Sequence, residues 1–194
     1  MKIFKEPIVV IDTETTGFHK EAEVIEIGAV CLDEWGRERS TFSALIKPNV
    51  TNDWRVQKAL AVSNITVEQL QQCSPLEEVR PQFLSWMEAI PSTTSLKCVA
   101  YNTKFDKRML DRSGIHLHWG YCLLQMTKEL MASRNYVVTG INGQSKAPSL
   151  EDACRFLGID YPQNAHRALE DVRVTALIAA KIFPVWRELA EPLS

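Results

Sequence analysis

The stretch Ile8-Val9-Val10-Ile11-Asp12-Thr13-Glu14 joins a short apolar run to two acidic residues. The four apolar residues are β-branched and do not alternate with polar ones, a pattern typical of a central strand that is covered on both faces. Because residues i and i+2 of a strand project to the same side, Asp12 and Glu14 continue the face begun by Ile8. Two carboxylates at the edge of a core repel each other and lose solvation, so without a cation one of them would tend to stay protonated. The motif alone is equally consistent with a solvated strand end.

Two further strands are predicted directly after this stretch. Val24–Leu32 is apolar, and residues 41–46 form a second short segment of strand type. The polar residues 33–37 between them contain a glycine and predict a hairpin loop, so the first three strands are expected to form an antiparallel meander. Further extended segments are predicted at residues 97–101 and 116–124.

Helix signals fill the rest of the chain. Thr66 and Ser149 each precede residues that suit the first turn of a helix, and apolar residues recur at helical spacing after them. The helices are predicted after Thr66, over residues 75–90, after Asn102, over residues 126–131, from Ser149 to Gly158, and over a last long segment that Pro184 ends or kinks. Strands followed by alternating helices and strands predict a layered α/β domain with a mixed sheet.

Composition excludes several classes of protein. The chain has 194 residues, 45% of them hydrophobic and 24% charged, which excludes collagen-like, low-complexity and wholly disordered chains. At roughly 150 residues per domain, this length predicts a single domain over the whole chain. No apolar run approaches the roughly 18 residues that span a bilayer, and the charged first six residues predict no secretory segment. Five cysteines without a CxxC pair are typical of a reducing compartment, so we expect a cytoplasmic protein without a membrane segment.

The charge balance limits how the protein can hold a polyanion. The formal net charge is −2, from 22 Lys and Arg against 24 Asp and Glu. A domain that holds nucleic acid by its backbone alone is usually clearly basic. If a polyanion is the substrate, bound metal ions would supply the positive charge that the chain lacks.

Two more element ends carry residues able to do chemistry. Asp106 falls in the first turn of the helix after Asn102, where the helix dipole favours its ionised form. His166 precedes the last long helix, and Asp171 follows five residues later, so both can point at one place. Each has an ordinary explanation too: Asp106 as a first-turn carboxylate, Asp171 as the partner of Arg167 four residues back.

The order D-x-E, N-x-x-F-D, H-x-x-x-x-D strongly resembles the DnaQ-like family of 3′-to-5′ exonucleases in its DEDDh branch. The resemblance runs from about residue 8 to about residue 180. It is carried by DTETTGF at 12–18, IEIGAV at 25–30, YNTKFD at 101–106, SLEDACRFLGI at 149–159 and HRALEDV at 166–172. It implies a three-layer RNase H-like fold, in which helices flank a mixed five-stranded sheet.

The resemblance also implies a chemistry and a ligand set. Two Mg²⁺ or Mn²⁺ ions, which prefer oxygen ligands, would support phosphodiester hydrolysis and release nucleoside 5′-monophosphates. Asp12 would bridge both ions, Glu14 and Asp171 would complete one site, and Asp106 would support the other. His166 would take the proton of the attacking water, because an unperturbed imidazole is partly neutral at pH 7.

Substrate contacts are expected next to the first acidic motif. The predicted substrate-binding residues are Thr15, Thr16, Gly17, Phe18 and Asn102. The ring of Phe18 either stacks on a terminal base or simply covers the edge of the sheet. A basic cluster around Asp106 either tracks phosphates or forms a solvated helix face; its members are Lys104, Lys107, Arg108 and Arg112.

The sequence departs from the family pattern in three places. Residues 63–66 read Ser-Asn-Ile-Thr where the family commonly has His-Gly-Ile-Thr, and residues 125–127 read Gln-Met-Thr where many members have Asp-Thr. The family's metal ligands do not include these positions, so the changes bear on substrate contacts. The chain also ends near Ser194, without the extension that tethers proofreading subunits to a polymerase.

The expected partner is the 3′ end of a nucleic acid, with DNA, as a single strand, favoured over RNA. Three alternatives stay open at this point. They are a 3′-5′ exoribonuclease, a proofreading subunit bound to a polymerase, and a nucleic-acid-binding relative without enzymatic activity. Neither a polymerase partner nor a homodimer is established by the sequence.

Overall fold

A mixed five-stranded sheet lies at the centre of the structure, a computed structural model that describes residues 1–49, 53–91, 96–162 and 167–190. Its strands are β1 (Ile8–Thr15), β2 (Val24–Leu32), β3 (Glu38–Leu45), β4 (Lys97–Ala100) and β5 (Trp119–Cys122). The spatial order is β3-β2-β1-β4-β5. The pairs β1–β2 and β2–β3 are antiparallel, and β1–β4 and β4–β5 are parallel. The predicted meander and the predicted α/β class with a mixed sheet are both confirmed.

Helices cover both faces of this sheet. They are α1 (Trp54–Ser63), α2 (Val67–Gln71), α3 (Leu76–Glu88), α4 (Thr103–Arg112), α5 (Leu123–Ser133), α6 (Leu150–Leu157) and α7 (Ala168–Ala190). Capping boxes start α2 at Thr66 and α6 at Ser149, as the sequence predicted. Gly158 ends α6 with a φ of 62°, which glycine adopts without steric cost.

Two features of the helices differ from the sequence-based predictions. Helix α1 was not predicted, although Asp53 caps it through a hydrogen bond from the backbone N–H of Arg55. Helix α7 continues through Pro184 to Ala190, so of the two predicted outcomes at Pro184, an end or a kink, the end is wrong. Side chains on both sides of Pro184, those of Phe183 and Val185, pack against the core. This packing offsets the lost backbone hydrogen bond.

The alternation of side chains along β1 decides where its acidic residues point. Ile8 and Val10 pack into the core under α5, α6 and α7. Val9 and Ile11 pack into the opposite core, which α3 and α4 cover. Both faces of the strand are therefore buried, as its unbroken apolar run predicted. Continuing the alternation places Asp12 and Glu14 on the α7 side and Thr13 on the α4 side.

Strand β2 and the start of α7 come into unusually close backbone contact. A Cβ atom placed on Gly28 would lie 2.5 Å from the backbone carbonyl carbon of Ala168 and 2.6 Å from the backbone nitrogen of Leu169. Because Gly28 is the register partner of Asp12, this contact fixes the distance between the start of α7 and the first acidic residue. A side chain at this position would separate the two.

Gly28→Ala is expected to lower the free energy of unfolding by about 1–3 kcal/mol, because the backbone of α7 must shift to admit the methyl group. Urea unfolding followed by circular dichroism measures this change. Gly120→Ala in β5 is the matched control, since its Cβ would meet nothing closer than 3.5 Å. Equal stability losses in the two variants would contradict the close-contact explanation.

No helix in the described parts of the chain is both long enough and apolar enough to cross a membrane.

Candidate active site

Acidic residues from separate elements meet at one end of the sheet. Asp12 and Glu14 come from the end of β1, and Asp171 comes from the first turn of α7. One carboxylate oxygen of each of these three residues lies within 4.8 Å of the others. Residues 159 positions apart in the chain are thereby brought to one point. The predicted convergence of these three acids is present in the structure.

Asp106 joins the group from the other side of β1. Its carboxylate oxygen Oδ1 accepts hydrogen bonds from the backbone N–H of Thr13 at 3.1 Å and from the Thr13 hydroxyl at 2.9 Å. The side chain is buried, with 3% of the residue exposed. Strand β4 runs parallel to β1, so the helix that follows it begins beside the carboxyl end of β1. This topology gives Asp106 its position next to the acidic pair.

Burial, together with repulsion between neighbouring carboxylates, disfavours the charged forms of these groups. Burial raises the pKa of Asp12 well above its usual range, and the charges of Asp106, Glu14 and Asp171 raise it further. Burial also raises the pKa of Glu14 to about 7, although a hydrogen bond from Ser63 lowers it. Burial raises the pKa of Asp106 as well, against the effect of the Thr13 hydrogen bonds. The site therefore needs a source of positive charge to hold all its carboxylates ionised at neutral pH.

The donor set of this site fits a divalent cation. Asp12, Glu14 and Asp171 offer only carboxylate oxygens, which suit Mg²⁺ or Mn²⁺ and not the nitrogen and sulfur sites typical of structural zinc. A divalent cation beside these groups would favour their ionised forms and remove much of the repulsion that raises their pKa values. The three residues are thus the part of the chain best suited to hold such an ion.

A cleft of about 400 Å³ opens beside the acidic group. The acidic residues form one side of it, and an apolar surface with Phe18, Phe105 and Val62 forms another. Phe18 is 84% exposed, and its ring centroid lies 5.4 Å from that of Phe105. The guanidinium of Arg108 lies 5.5 Å from the Phe105 ring centroid. The cleft thus combines a strongly acidic side with an accessible aromatic one.

The predicted substrate-binding residues fall into two groups. Thr15, Gly17, Phe18 and Asn102 line the cleft. Gly17 has a φ of 138°, and the Thr15 hydroxyl donates a hydrogen bond to its carbonyl, so the turn after β1 is held in a conformation that suits glycine. Thr16 is outside the lining of the cleft: it is 2% exposed, and its hydroxyl accepts a hydrogen bond from the N–H of Glu23. Its position is that of a turn-stabilising residue.

His166 lies outside the described residues. The ordinary explanation of this motif was an ion pair between the side chains of Arg167, the next residue, and Asp171. The structure shows a different partner for Arg167. Its guanidinium binds Glu26 instead, at 2.9 Å from Nη2 to Oε1. Asp171 donates its backbone N–H to the carbonyl of Arg167 at 3.0 Å, which is a normal first-turn helix bond.

Sequence reasoning missed three residues that support the acidic group. The hydroxyl of Ser63 donates a hydrogen bond to Oε2 of Glu14. Ser63 belongs to the segment that departs from the family pattern. In the structure it lines the cleft and also contacts an acidic residue. Thr13 and Glu26 were missed because their roles depend on contacts with helices that are distant in the chain, Thr13 with Asp106 of α4 and Glu26 with the start of α7. Both lie in motifs that carry the family resemblance, at residues 12–18 and 25–30. Glu26 is also the one charged residue of an otherwise apolar strand, a signal that could have identified it.

Comparisons with known proteins give this site a context. The model of the exonuclease family RNase_T matches residues 9–179. The chain is 31% identical over 188 residues to the DNA polymerase III PolC-type protein of Thermotoga petrophila, a match that covers 93% of this chain and 12% of that protein. It is 31% identical over 194 residues to the 3′-5′ exonuclease DinG of Bacillus subtilis, covering 97% of this chain and 19% of that protein. The chain therefore spans less than a fifth of the length of these two relatives.

A solved structure supports the architecture. Exonuclease I of E. coli in complex with a dT13 oligonucleotide matches 95% of this chain and 43% of its own with a TM-score of 0.75. The sequence identity is 18%, so this match shows that the two proteins share the fold.

Asp12→Asn is expected to stabilise the protein in EDTA at pH 8, because the amide keeps the shape of the side chain and removes the central repelling charge. We expect a gain of about 1 kcal/mol or more, seen as a rise in Tm of about 2–4 °C. Saturating Mn²⁺ should raise the Tm of the wild-type protein and have much less effect on the variant.

Asp111→Asn is the control for this change. Asp111 pairs with Lys107 and is hydrogen-bonded to His116, and both contacts lower the pKa of Asp111. Its removal should not stabilise the protein and should leave the response to Mn²⁺ unchanged. A lower Tm for Asp12→Asn than for wild type in EDTA would contradict the repulsion argument.

Proposed function

Because the chain belongs to the RNase_T family of exonucleases, we propose that it removes nucleotides one at a time from the 3′ end of a nucleic acid strand. The reaction hydrolyses the terminal phosphodiester bond and releases a nucleoside 5′-monophosphate. The observation that carries the proposal is the meeting of Asp12, Glu14 and Asp171 at one point, with Asp106 beside them in the same cleft.

Two Mg²⁺ or Mn²⁺ ions, when bound, supply the positive charge that an in-line displacement needs at its attacking and leaving oxygens. Asp12 would contribute to both ions, Glu14 and Asp171 to one, and Asp106 to the other. Thr13 holds Asp106 through two hydrogen bonds, and Ser63 holds Glu14, so both carboxylates are oriented before any ligand arrives. His166 would act as the general base that accepts the proton of the attacking water.

The aromatic side of the cleft is suited to the terminal base. Phe18 rests against Phe105, so its exposed ring is held in place without being covered. Stacking on an aromatic ring tolerates every base, which fits removal of nucleotides irrespective of sequence. Thr15 and Asn102 line the same cleft and would contact the terminal nucleotide.

The basic cluster around Asp106 is divided by its contacts. Lys107 pairs with Asp111 at 2.6 Å, and Arg112 donates a hydrogen bond to the backbone carbonyl of Lys20. Arg108 lies instead over the ring of Phe105 at the cleft. We therefore propose that Arg108 binds a backbone phosphate of the strand that leads into the cleft.

DNA as a single strand is the substrate that we propose. The accessible Phe18 ring and a cleft of about 400 Å³ suit one unpaired nucleotide, and the structurally similar exonuclease I holds a DNA oligonucleotide. An RNA strand would fill the same cleft, so RNA oligonucleotides must be tested beside DNA.

A second candidate role is proofreading within or beside a polymerase. It is favoured by the match to the PolC-type DNA polymerase III of Thermotoga petrophila. Stable co-purification with a polymerase chain would support this role. Full activity of the protein as a monomer, with no polymerase recovered from its source, would contradict it.

The exonuclease proposal predicts Mg²⁺-dependent shortening of a single-stranded DNA oligonucleotide from its 3′ end, with 3′ label released first as mononucleotide. Asp12→Ala should abolish the activity, and His166→Ala should reduce it by about 10²–10⁴-fold. Matched DNA and RNA oligonucleotides, single and double stranded, with Mg²⁺ or EDTA, separate the substrate classes on a denaturing gel.

His116→Ala and Asp111→Ala are the matched controls, because both residues lie on the surface away from the cleft and pair with each other. Both should keep wild-type activity. Release of 5′ label first, or vigorous degradation in EDTA by Asp12→Ala, would refute the assignment. Binding of DNA without release of mononucleotides would favour the non-enzymatic alternative.

Phe18→Ala is expected to raise KM for single-stranded DNA by about 5–100-fold, the equivalent of a stacking interaction of about 1–3 kcal/mol. The effect on kcat should be smaller, since a phenyl ring can stack on the base but has no group that could bind a metal ion or accept a proton. Trp35→Ala, which removes another exposed aromatic ring, is the control, because Trp35 lies in the turn between β2 and β3. An unchanged KM for Phe18→Ala would refute base stacking on Phe18 and would support the alternative, that its ring only covers the edge of the sheet.

A further inference from the structure

The start of α7 is held against the sheet by a buried ion pair that the proposed mechanism does not use. Glu26 of β2 is 1% exposed. Its carboxylate accepts hydrogen bonds from Nε of Arg167 at 3.1 Å, from Nη2 of Arg167 at 2.9 Å and from the backbone N–H of Ala168 at 3.2 Å. The two parallel bonds from Arg167 form a bidentate pair, which fixes the direction of the guanidinium as well as its distance.

The same pair is connected to the acidic group from both ends. Glu26 is the register partner of Glu14 on the neighbouring strand. Arg167 is bound through its side chain to Glu26, and its backbone carbonyl accepts the N–H of Asp171 at 3.0 Å. A short path of contacts thus runs from β2 through Arg167 to Asp171.

Burying the carboxylate of Glu26 costs free energy that an apolar side chain at the same position would not cost. Glu26 adds a buried negative charge beside Asp12, which already faces three other carboxyl groups. A well-packed apolar residue at a buried position is often as stabilising as an ion pair, or more so. The carboxylate does what an apolar residue cannot: it binds both the guanidinium of Arg167 and the first backbone N–H of α7 in one fixed geometry.

We propose that Glu26 and Arg167 form a positioning pair that sets the place of Asp171 relative to Asp12 and Glu14. The pair does not contact the substrate; it acts through the first turn of α7. Gly28, two residues after Glu26, allows the backbone of α7 to approach β2 closely enough for these bonds to form. This inference rests on the proposed function, because it assigns the pair to the acidic site of the exonuclease.

Glu26→Gln and Arg167→Lys test the pair on the full chain. Glu26→Gln keeps the shape of the side chain and removes its charge, and Arg167→Lys keeps the charge and removes the bidentate geometry. The readouts are the affinity for Mn²⁺ alone, measured by calorimetry or electron paramagnetic resonance, and kcat and KM on a single-stranded DNA oligonucleotide. All are measured well below the Tm of each variant.

Both variants should bind Mn²⁺ about 10-fold more weakly, as changes around metal ligands typically do. They should lower kcat by about 10²-fold, because small misplacements of a reacting group have effects of that size. KM for the oligonucleotide should change by less than about 3-fold, since the cleft residues are intact. A purely structural role would not produce weaker Mn²⁺ binding in a fully folded variant with an unchanged KM.

Glu38→Gln is the matched control. Glu38 of β3 pairs with Arg173 of α7 at 3.3 Å, so it also joins the sheet to this helix. Both side chains are exposed, and Arg173 lies beyond the first turn of α7. It should leave Mn²⁺ affinity and kcat unchanged. If Glu26→Gln fails to fold, Arg167→Lys carries the test, because the Arg167 side chain is 39% exposed and tolerates the change better.

Folded variants with wild-type Mn²⁺ affinity and kcat would overturn the positioning pair while the exonuclease proposal stands. Equal losses in Glu38→Gln would also overturn it, since any sheet-to-helix ion pair would then suffice. A wild-type chain without nuclease activity would refute the proposed function. In that case the Mn²⁺ affinities still decide whether the pair positions Asp171.

Discussion

The crowding of four carboxyl groups at one end of the sheet, two of them buried and two half-buried, is the constraint on which the rest of the structure depends. Asp12 lies among Asp106, Glu14 and Asp171, and burial together with these charges raises its pKa well above the usual range. Such a group cannot arise from packing preferences, because charged side chains leave a core unless something compensates them. The fold must therefore hold these residues together by stronger contacts elsewhere, and the arrangement becomes favourable when cations are present.

Those contacts come from both faces of the sheet. On one face, Thr13 fixes Asp106 through two hydrogen bonds. On the other face, β2 holds the start of α7 in two ways. Glu26 binds Arg167 and Ala168. Gly28 has no side chain and leaves room for the backbone of α7. Asp106 is thus held by Thr13 and Glu14 by Ser63, residues to which the proposed reaction assigns no chemical step. This division separates the stability of the site from the chemistry proposed for it.

The cleft beside the acidic group is formed by the continuation of the same strand end. After Glu14 the chain turns through Gly17, whose φ of 138° few other residues adopt, and then exposes Phe18 beside Phe105. The acidic and aromatic sides of the cleft are therefore only a few residues apart in the chain. A net-acidic protein can accept a polyanion there if cations neutralise one side and stacking holds the base on the other.

The sequence by itself determined the class of fold, the meander of the first three strands, most helices and the family, because these depend on local periodicity, capping and motifs that are continuous in the chain. The family match confirms the resemblance carried by those motifs. The sequence also predicted that Asp12, Glu14, Asp106 and Asp171 form one group, but only from the order in which their motifs occur. Their actual proximity, the turn of Thr16 away from the cleft, and the roles of Ser63, Thr13 and Glu26 were decided by the tertiary structure. These depend on strand register and on the packing of α7, which bring together residues whose separation in the chain carries no local signal.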